Sequence, residues 1–492
     1  MSSSPWSTTS WTAPPLAGGP GGADALRPLL GTVLDALRDG AVARGGPVPP
    51  GGPQDVTAHL RDALRDGAAH HGGPQDVTAH RRDRLADVLP DTGTGAEEAL
   101  RTLVAAVARG AADPAHPHCV AHLHTPPLAL AAAADLAASA LNPSLDSWDQ
   151  APAASALEAL VTRAIATETH PTGPDPDALV TTGGTESNQL ALLLAREHHG
   201  PTLQTVCGAN AHHSIHRAAW LLGLPEPVTV PAPGGTIDLT ALAAVLTDLR
   251  GPLLVTATAG TTDTGGIDPL PEIADLCDKH GAILHIDAAY GGPLLFSETR
   301  RHLLTGLDRA RTVTLDLHKL GWQPVAAGLL AVPDTTLLDA LNHTAPYLNA
   351  DDDTRAGLPD LLGRSFRTSR RPDILKIAVT LRALGRTGLG HLVDRVCAGA
   401  RQLADLIETD PRLDLYEPPT LSTVLFRPCG ATDHAVAEAR RDLLTHGHAV
   451  LGRAHADGRL WFKATLLNPH TTPDDLRELL ALTALVEGTT TR

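Results

Sequence analysis

Residues 312–324 read TVTLDLHKLGWQP, in which a short apolar and β-branched run is followed by polar side chains and a Gly-Trp-Gln-Pro turn. This pattern predicts a strand that delivers Asp316, His318 and Lys319 to its carboxyl end, the edge at which open α/β sheets bind their ligands. Taken alone, His318 and Lys319 would fit an ordinary exposed loop equally well.

Lysine is rare in this chain. Only four of the 492 residues are lysine (Lys279, Lys319, Lys376 and Lys463), although lysine and arginine together number 39. Arginine stays protonated at any working pH, whereas a desolvated lysine amine can lose its proton and attack a carbonyl to form a Schiff base. We therefore predict that Lys319 is a nucleophilic amine.

A second strand signal lies upstream and ends in a carboxylate. Residues 282–292 read AILHIDAAYGG, which predicts an apolar strand closed by Asp287. A carboxylate at the end of a buried strand costs desolvation free energy unless a cation or several hydrogen-bond donors meet it. A protonated pyridine nitrogen is such a partner.

Asp287, followed by His318 and Lys319 after the next strand, resembles the pyridoxal-phosphate enzymes of fold type I. More narrowly, the chain resembles the group II amino-acid decarboxylases, closest to the diaminobutyrate, lysine and ornithine branch, over roughly residues 110–480. The resemblance implies an α/β fold with a mainly parallel central sheet and a small C-terminal α+β domain. It also implies a homodimer whose sites are built from two chains, and pyridoxal 5'-phosphate held on Lys319.

A glycine pair opens the helix that would hold the cofactor phosphate. Residues 180–200 join a strand to a helix through Gly183-Gly184, with Thr185 as the predicted N-cap. The backbone amides at a helix N-terminus form a ready anion site. By the resemblance, Gly184 and Thr185 hold the phosphate, with His318 and Asp316 nearby.

The resemblance assigns further groups to the cofactor ring. His212 would stack on its face, Thr258 and Ala289 would lie beside it, and Asp287 would keep its nitrogen protonated, which strengthens the ring as an electron sink. Lys319, His212 and Asp287 are thus the predicted catalytic residues. In a chain with 25 histidines, His212 could instead cap or pack at the start of the helix near Ser214.

Two loops are predicted to contact the substrate. One is HPHCVAHLHTPP (116–127), with His122 and Thr125, and the other contains Asp146 just before Ser-Trp. Aromatic decarboxylases carry phenylalanine at the Asp146 position. A pocket carboxylate needs a cationic partner, which the distal ammonium of a diamino acid would supply. The equal alternative is that Asp146 and Asp149 cap the helix near Ala153.

The resemblance therefore implies decarboxylation of an L-diamino acid, namely 2,4-diaminobutyrate, lysine or ornithine, to a diamine. The alternatives are an acidic or aromatic substrate, an aminotransferase or aldehyde-forming enzyme on the same fold, and a non-catalytic paralogue. Aromatic-amino-acid decarboxylases carry a loop tyrosine that is absent from residues 348–366. Tyr347, His212 or water would then supply the proton.

Composition restricts the partners and the compartment. The net charge of −16 argues against nucleic acid, because phosphate backbones need basic patches. Five scattered cysteines without a CxxC motif favour a reduced cytoplasmic protein with no metal site. The sequence shows no signal peptide and no apolar run of membrane-spanning length, so no membrane is expected.

The order of strand and helix signals predicts the domains. Seven strand signals, at 177–182, 202–207, 227–230, 253–258, 282–287, 312–315 and 327–332, alternate with helical patterns as in βαβ units. We predict a disordered tail (1–22), a helical arm with pocket loops (23–150), a large cofactor-binding domain (151–385) and a small domain (386–492). The repeat GGPQDVTAH, at 51–59 and 72–80, has no assigned role.

Overall fold

The computed structural model describes residues 22–66, 90–343, 345 and 347–484. The predicted disordered tail, except for Gly22, and the second copy of the GGPQDVTAH repeat lie outside the described residues. The described part of the first copy runs into a helix that begins at Pro53.

Helices and strands alternate through the middle of the chain. The helices are α1 (Gly22–Arg44), α2 (Pro53–Asp66), α3 (Ala96–Gly110), α4 (Ala129–Leu141), α5 (Pro152–Thr169), α6 (Gly184–His199), α7 (Ser214–Leu221), α8 (Leu239–Asp248), α9 (Leu270–His280), α10 (Asp351–Arg355), α11 (Ile374–Thr409), α12 (Asp433–Thr445) and α13 (Pro473–Ala484). The strands are β1 (Asp177–Thr181), β2 (Gln204–Gly208), β3 (Val228–Val230), β4 (Leu253–Thr258), β5 (Ile283–Ala288), β6 (Thr312–Asp316), β7 (Gly328–Val332), β8 (Leu413–Leu415), β9 (Thr423–Pro428), β10 (Gly452–Ala456) and β11 (Arg459–Thr465).

The chain forms two compact units. The described part of the first unit is 22–45, 52–66, 90–111 and 139–142, and that of the second is 46–51, 112–138, 143–343, 345 and 347–484. Within the first unit α1 packs against α3 at Gly40, where a Cβ atom would come within 2.4 Å of the Ala105 carbonyl oxygen. Glycine permits this close approach because it has no side chain.

The second unit is organised on a seven-stranded sheet in the order β1-β7-β6-β5-β4-β2-β3. The pairs β6–β5, β5–β4, β4–β2 and β2–β3 are parallel, while β7 runs antiparallel to both β1 and β6. Strands β1, β4, β6 and β7 are buried along their whole length, as expected for a sheet covered on both faces. The predicted α/β class, its seven strands and its mainly parallel sheet are confirmed.

Strand register brings polar side chains to one edge of this sheet. Asp287, near the end of β5, pairs with Thr258 of β4 on one side and Thr314 of β6 on the other. Gly328 begins β7 between Thr181 and Asp316, which end the two flanking strands. The carboxyl ends of β1, β4, β5 and β6 therefore meet in one place.

A smaller antiparallel sheet, in the order β10-β11-β9-β8, packs with α12 and α13 around a second aliphatic core. The long helix α11 leads to it and contains one non-helical residue, Gly385, with φ of 63°. The predicted boundary between 385 and 386 falls at this residue, although the boundaries themselves stay a prediction. In the described parts of the chain, no helix is long and apolar enough to cross a membrane.

Gly328→Ala should destabilise the protein. A Cβ atom at this position would lie 2.4 Å from Thr181 Oγ1 and 2.5 Å from the Gly183 Cα atom. Relieving the second contact would require a shift of the backbone, which costs free energy. We expect a loss of about 1 to 3 kcal/mol in the free energy of unfolding, measured by urea denaturation.

The matched control is Gly399→Ala in α11, where the new methyl group would meet only Leu466 Cδ1 at 3.6 Å. Alanine favours the helix, so this variant should match the wild type or gain up to about 1 kcal/mol. Equal stability of the two variants would contradict the packing argument.

Candidate active site

The strand ends enclose a cavity of about 300 Å³. All of the residues that the sequence analysis predicted to hold the cofactor line it: Gly184, Thr185, His212, Thr258, Asp287, Ala289, Asp316, His318 and Lys319. They come from the ends of five strands, β1, β2, β4, β5 and β6, and the segments that follow them, so the tertiary fold brings together residues far apart in sequence.

The start of α6 forms one wall of the cavity. Its N-cap is Gly183, with φ of 152° and no side-chain cap, so the prediction of Thr185 as N-cap is wrong. The reason is packing: a Cβ on Gly183 would lie 2.9 Å from the His318 ring, and one on Gly184 would lie 3.0 Å from the Ala289 Cβ atom. Only glycine fits in both places, and Thr185 is already inside the helix.

Lys319 is paired with Asp316. Lys319 Nζ lies 3.0 Å from Asp316 Oδ2, and His318 Nε2 lies 3.6 Å from the same oxygen. Asp316 is buried, and its Oδ1 atom has no hydrogen-bond partner among the described residues. The pairing follows from a turn after β6, where the Lys319 amide donates to the Asp316 carbonyl at 3.3 Å.

Asp287 is held by two hydrogen-bond donors. Its Oδ2 atom accepts from Asn188 Nδ2 at 2.7 Å, and its Oδ1 atom accepts from the Ala289 amide at 3.1 Å. These donors meet part of the desolvation cost of a buried carboxylate and fix its orientation. The carboxylate still lines the cavity, where a cation can approach it.

The histidines around the cavity are held neutral by burial. Burial lowers the pKa of His212, although the charge of Asp287 acts in the opposite direction. Burial likewise lowers the pKa of His318. Behind Asp287, burial lowers the pKa of His285 to about 4. Neutral rings can accept or donate a hydrogen bond without adding positive charge.

The structure does not bring the predicted substrate residues into the lining of this cavity. In the first loop Leu123 lines it, while His122, with φ of 60°, is exposed and is not part of the lining. Thr125 is buried, and its hydroxyl has no hydrogen-bond partner in the described part of the chain. Substrate contact by these two side chains stays a prediction that this chain's own cavity does not favour.

Asp146 is also buried outside the lining. Its carboxylate accepts from Gln150 Nε2 at 2.9 Å and lies 3.5 Å from Ser369 Oγ. The capping alternative is wrong, because the N-cap of α5 is Ala151 and no side chain caps it. Tyr347 does not line the cavity either and is 83% exposed.

Sequence reasoning missed a buried polar layer behind Asp287, made by Asn188, Ser214, His285 and Thr314. A signal was present, since Asn188 interrupts the apolar face of α6 one turn after Gly184.

A second missed residue is Lys463, one of the four lysines. Its amine is buried and donates to the Thr262 carbonyl at 3.0 Å, and Thr262 itself lines the cavity. The scarcity of lysine was the signal that could have identified it.

These features fit pyridoxal phosphate. A glycine cradle at a helix N-terminus suits the phosphate, Asp287 suits a ring cation, and Lys319 supplies an amine. No group of three or more His, Cys, Asp or Glu side chains among the described residues is arranged to hold a metal ion. Fold and site together define a pyridoxal-phosphate-dependent enzyme of fold type I.

The family follows from comparison with known proteins. Residues 80–428 match the pyridoxal-dependent decarboxylase conserved domain, and the chain belongs to this family of amino-acid decarboxylases. It is 41% identical to an L-2,4-diaminobutyrate decarboxylase of Rhizobium meliloti (strain 1021), over 80% of this chain and 82% of that protein. A protein of the same name from Acinetobacter baumannii is 31% identical, over 79% and 83% of the two chains.

A solved structure supports the same assignment. It is the glutamate decarboxylase domain of diaminobutyrate-pyruvate transaminase and L-2,4-diaminobutyrate decarboxylase from Vibrio parahaemolyticus. This domain superposes with a TM-score of 0.79 and 30% identity, over 96% of this chain and 97% of that one. The resemblance to the group II decarboxylases, the fold and the cofactor are thereby confirmed.

Lys319→Ala should remove the covalent attachment of the cofactor. The amine is the only nucleophilic nitrogen of a lysine on the described cavity wall, so borohydride reduction of the purified protein with its bound pyridoxal phosphate, with no excess aldehyde added, should no longer give the adduct seen in the wild type. Mass spectrometry of the reduced protein measures the adduct. Lys279→Ala, whose amine is remote from the cavity lining, is the control, and a persistent adduct in Lys319→Ala would refute the assignment.

Stability should fall as the pH drops from about 6.5 to about 4, the ordinary and the folded pKa of His285. In this range His285 is protonated in the unfolded chain but not in the folded one. The free energy of unfolding therefore falls by up to about 1.4 kcal/mol for each pH unit. Urea unfolding across this range checks the slope. His285→Gln should reduce the dependence of the unfolding free energy on pH. An unchanged pH dependence would contradict its assignment to His285.

Proposed function

We propose that this enzyme decarboxylates L-2,4-diaminobutyrate to the corresponding diamine. The observation that carries the proposal is the charge of the cavity wall. Its described lining contains no arginine, and Lys319 is its only lysine.

An acidic substrate carries two carboxylates and would need two cations. Beyond Lys319, which is committed to the cofactor, the buried Lys463 reaches the lining by donating to the Thr262 carbonyl. One ammonium suffices for the α-carboxylate that all the candidate substrates share, but a distal carboxylate would be left unpaired at a cost in binding free energy. This supports a cationic or neutral side chain over an acidic one.

An adjoining cavity of about 420 Å³ favours a cationic substrate. It shares His212 and Thr262 with the first cavity, and its lining includes Asp457 and also Asp263, whose Oδ1 atom lies 3.5 Å from Lys463 Nζ. Acidic walls attract an ammonium and repel a second carboxylate. The similarity to diaminobutyrate decarboxylases points the same way.

Different residues of the chain would have different roles in the reaction. Pyridoxal phosphate, when bound, draws into its ring the electron pair released as the carboxylate leaves. Asp287 would hold the ring nitrogen as a cation, and Gly184, Thr185 and His318 would hold the phosphate. His212 would pack on the ring, Thr258 and Ala289 would flank it, and Asp316 would hold the Lys319 ammonium whenever the lysine is free.

Carbon dioxide loss must be followed by proton return to the α-carbon. Of the two side chains considered for this step, His212 lies on the cavity wall, whereas Tyr347 of the same chain is exposed and outside the lining. His212 or a water molecule beside it is therefore the proposed donor within one chain.

We further propose a cytoplasmic homodimer. Asp146 does not line the cavity of its own chain, so a role in substrate binding requires that it reach the site of a second copy. Sedimentation should then show a dimer, and a fully active monomer would contradict the proposal.

A substrate panel tests the activity. Carbon dioxide release should be greatest with 2,4-diaminobutyrate among the diamino, acidic and aromatic amino acids, with a primary diamine as product. An oxo acid or aldehyde as the main product would instead indicate an aminotransferase or aldehyde-forming enzyme. Preference for aspartate or glutamate would contradict the charge argument.

Asp146→Asn should raise the Michaelis constant for 2,4-diaminobutyrate by about tenfold to a hundredfold, the loss of one charge-assisted hydrogen bond. The cofactor spectrum should not change, because the cofactor contacts lie elsewhere. Asp149→Asn, three residues along the same loop, is the control and should keep the wild-type constant. Wild-type kinetics in Asp146→Asn would remove Asp146 from the substrate site.

A further inference from the structure

A single buried amide links the two predicted catalytic groups Asp287 and His212. Asn188, on α6, is fully buried. Its Nδ2 atom donates both to Asp287 Oδ2 at 2.7 Å and to Ser214 Oγ at 2.9 Å. Ser214 Oγ lies in turn 2.8 Å from His212 Nδ1. The side chain therefore contacts one catalytic group directly and the other through one hydroxyl.

The direction of these hydrogen bonds is determined by chemistry. An ionised carboxylate only accepts, so the nitrogen of the Asn188 amide must face Asp287. The amide oxygen then accepts from Thr314 Oγ1 at 2.8 Å and from His285 Nε2 at 3.0 Å. The hydrogen of neutral His285 is thereby placed on Nε2, while its Nδ1 atom accepts from Thr312 Oγ1 at 2.8 Å and also lies 3.1 Å from the Thr312 carbonyl oxygen.

The second branch of the network fixes the hydrogen of His212. Because Ser214 Oγ already accepts from Asn188, its own hydrogen is free to point to His212 Nδ1. The Ser214 backbone amide also donates to this nitrogen, at 3.3 Å. With two donors on Nδ1, the remaining hydrogen of a neutral His212 ring must be on Nε2.

We propose that Asn188 is a positioning residue that sets both groups at once, holding Asp287 as a carboxylate turned to the cofactor nitrogen and, through Ser214, holding His212 with its hydrogen on Nε2. This inference rests on the roles proposed above for Asp287 and His212. The network is buried, and its described members satisfy one another, which is the condition under which a polar cluster rigidifies a site.

The test begins with Asn188→Asp, a substitution of nearly equal shape that replaces the donor by an acceptor. Two carboxyl groups in contact cannot both ionise readily, so Asp287 would no longer be held as a carboxylate. We expect affinity for pyridoxal phosphate, measured by equilibrium dialysis of the apoenzyme, to fall by about tenfold to a hundredfold. The absorption spectrum of the bound cofactor should also change. Wild-type affinity together with a wild-type spectrum would overturn the proposal.

Ser214→Ala separates the two branches. It removes the hydroxyl between Asn188 and His212 but leaves the bond from Asn188 to Asp287. Cofactor affinity and spectrum should stay within about twofold of the wild type, while kcat falls by about fivefold or more at a nearly unchanged KM. A loss of cofactor affinity as large as that of Asn188→Asp, or a wild-type kcat, would contradict the two-branch arrangement.

Asn210→Asp is the matched control for burying a second carboxyl group. Asn210 Nδ2 donates to the buried Asp268 at 2.8 Å, in the same kind of pair as Asn188 and Asp287, but neither residue lines the cofactor cavity and Asp268 contacts its wall only through the Thr258 backbone amide. It should lower Tm as Asn188→Asp does, yet keep cofactor affinity within about twofold of the wild type. An equal loss of affinity in both variants would reduce the role of Asn188 to general stability.

Thr314→Val keeps the test decisive if Asn188→Asp does not fold. It removes one donor to the Asn188 oxygen at nearly constant volume, and should weaken cofactor affinity in the same direction by a smaller factor; no change would count against the network. All the affinity measurements are made without substrate. A wild-type enzyme inactive on 2,4-diaminobutyrate would therefore refute the proposed function and leave the network result standing.

Discussion

The buried carboxylates Asp287 and Asp316 impose the strictest requirement on this structure, because a buried charge must be met by donors or by a cation. Asp287 is met by the Asn188 amide and a backbone amide, and Asp316 by the Lys319 ammonium. Both stand at the carboxyl ends of strands in one sheet. Asn188 lies on α6 and Lys319 lies in the turn after β6. Both elements must therefore be positioned so that these side chains reach the two carboxylates.

The sheet topology makes this arrangement possible. Parallel strands β4, β5 and β6 end at the same edge, and β7 lets β1 join them by running antiparallel to both of its neighbours. The glycine pair that follows β1 can then approach His318 and Ala289 closely. A cradle with backbone amides on one side and a lysine on the other suits a phosphate-bearing aldehyde. This is why fold and site lead together to a pyridoxal-phosphate enzyme.

The charge of the cavity walls supports the proposed substrate. The described cavity wall lacks arginine, while carboxylates line the adjoining cavity. Asp146, the residue that first suggested a cationic substrate, is buried against Gln150 and Ser369 instead. A role of Asp146 in substrate binding therefore depends on the proposed homodimer.

Local sequence patterns were enough to predict the alternation of strands and helices, the polar residues Asp287 and Asp316 at the ends of two strands, and the glycine pair before α6. The scarcity of lysine was enough to single out Lys319. These follow from local rules, since apolar runs, turn residues and scarce residue types are visible without neighbours. It could not determine that Gly183 rather than Thr185 caps α6, because that depends on the approach of the His318 ring. Nor could it find the layer of Asn188, Ser214 and His285, or place Lys463 beside Thr262. Those contacts join residues distant in the chain, and only the tertiary structure decides which buried polar groups meet.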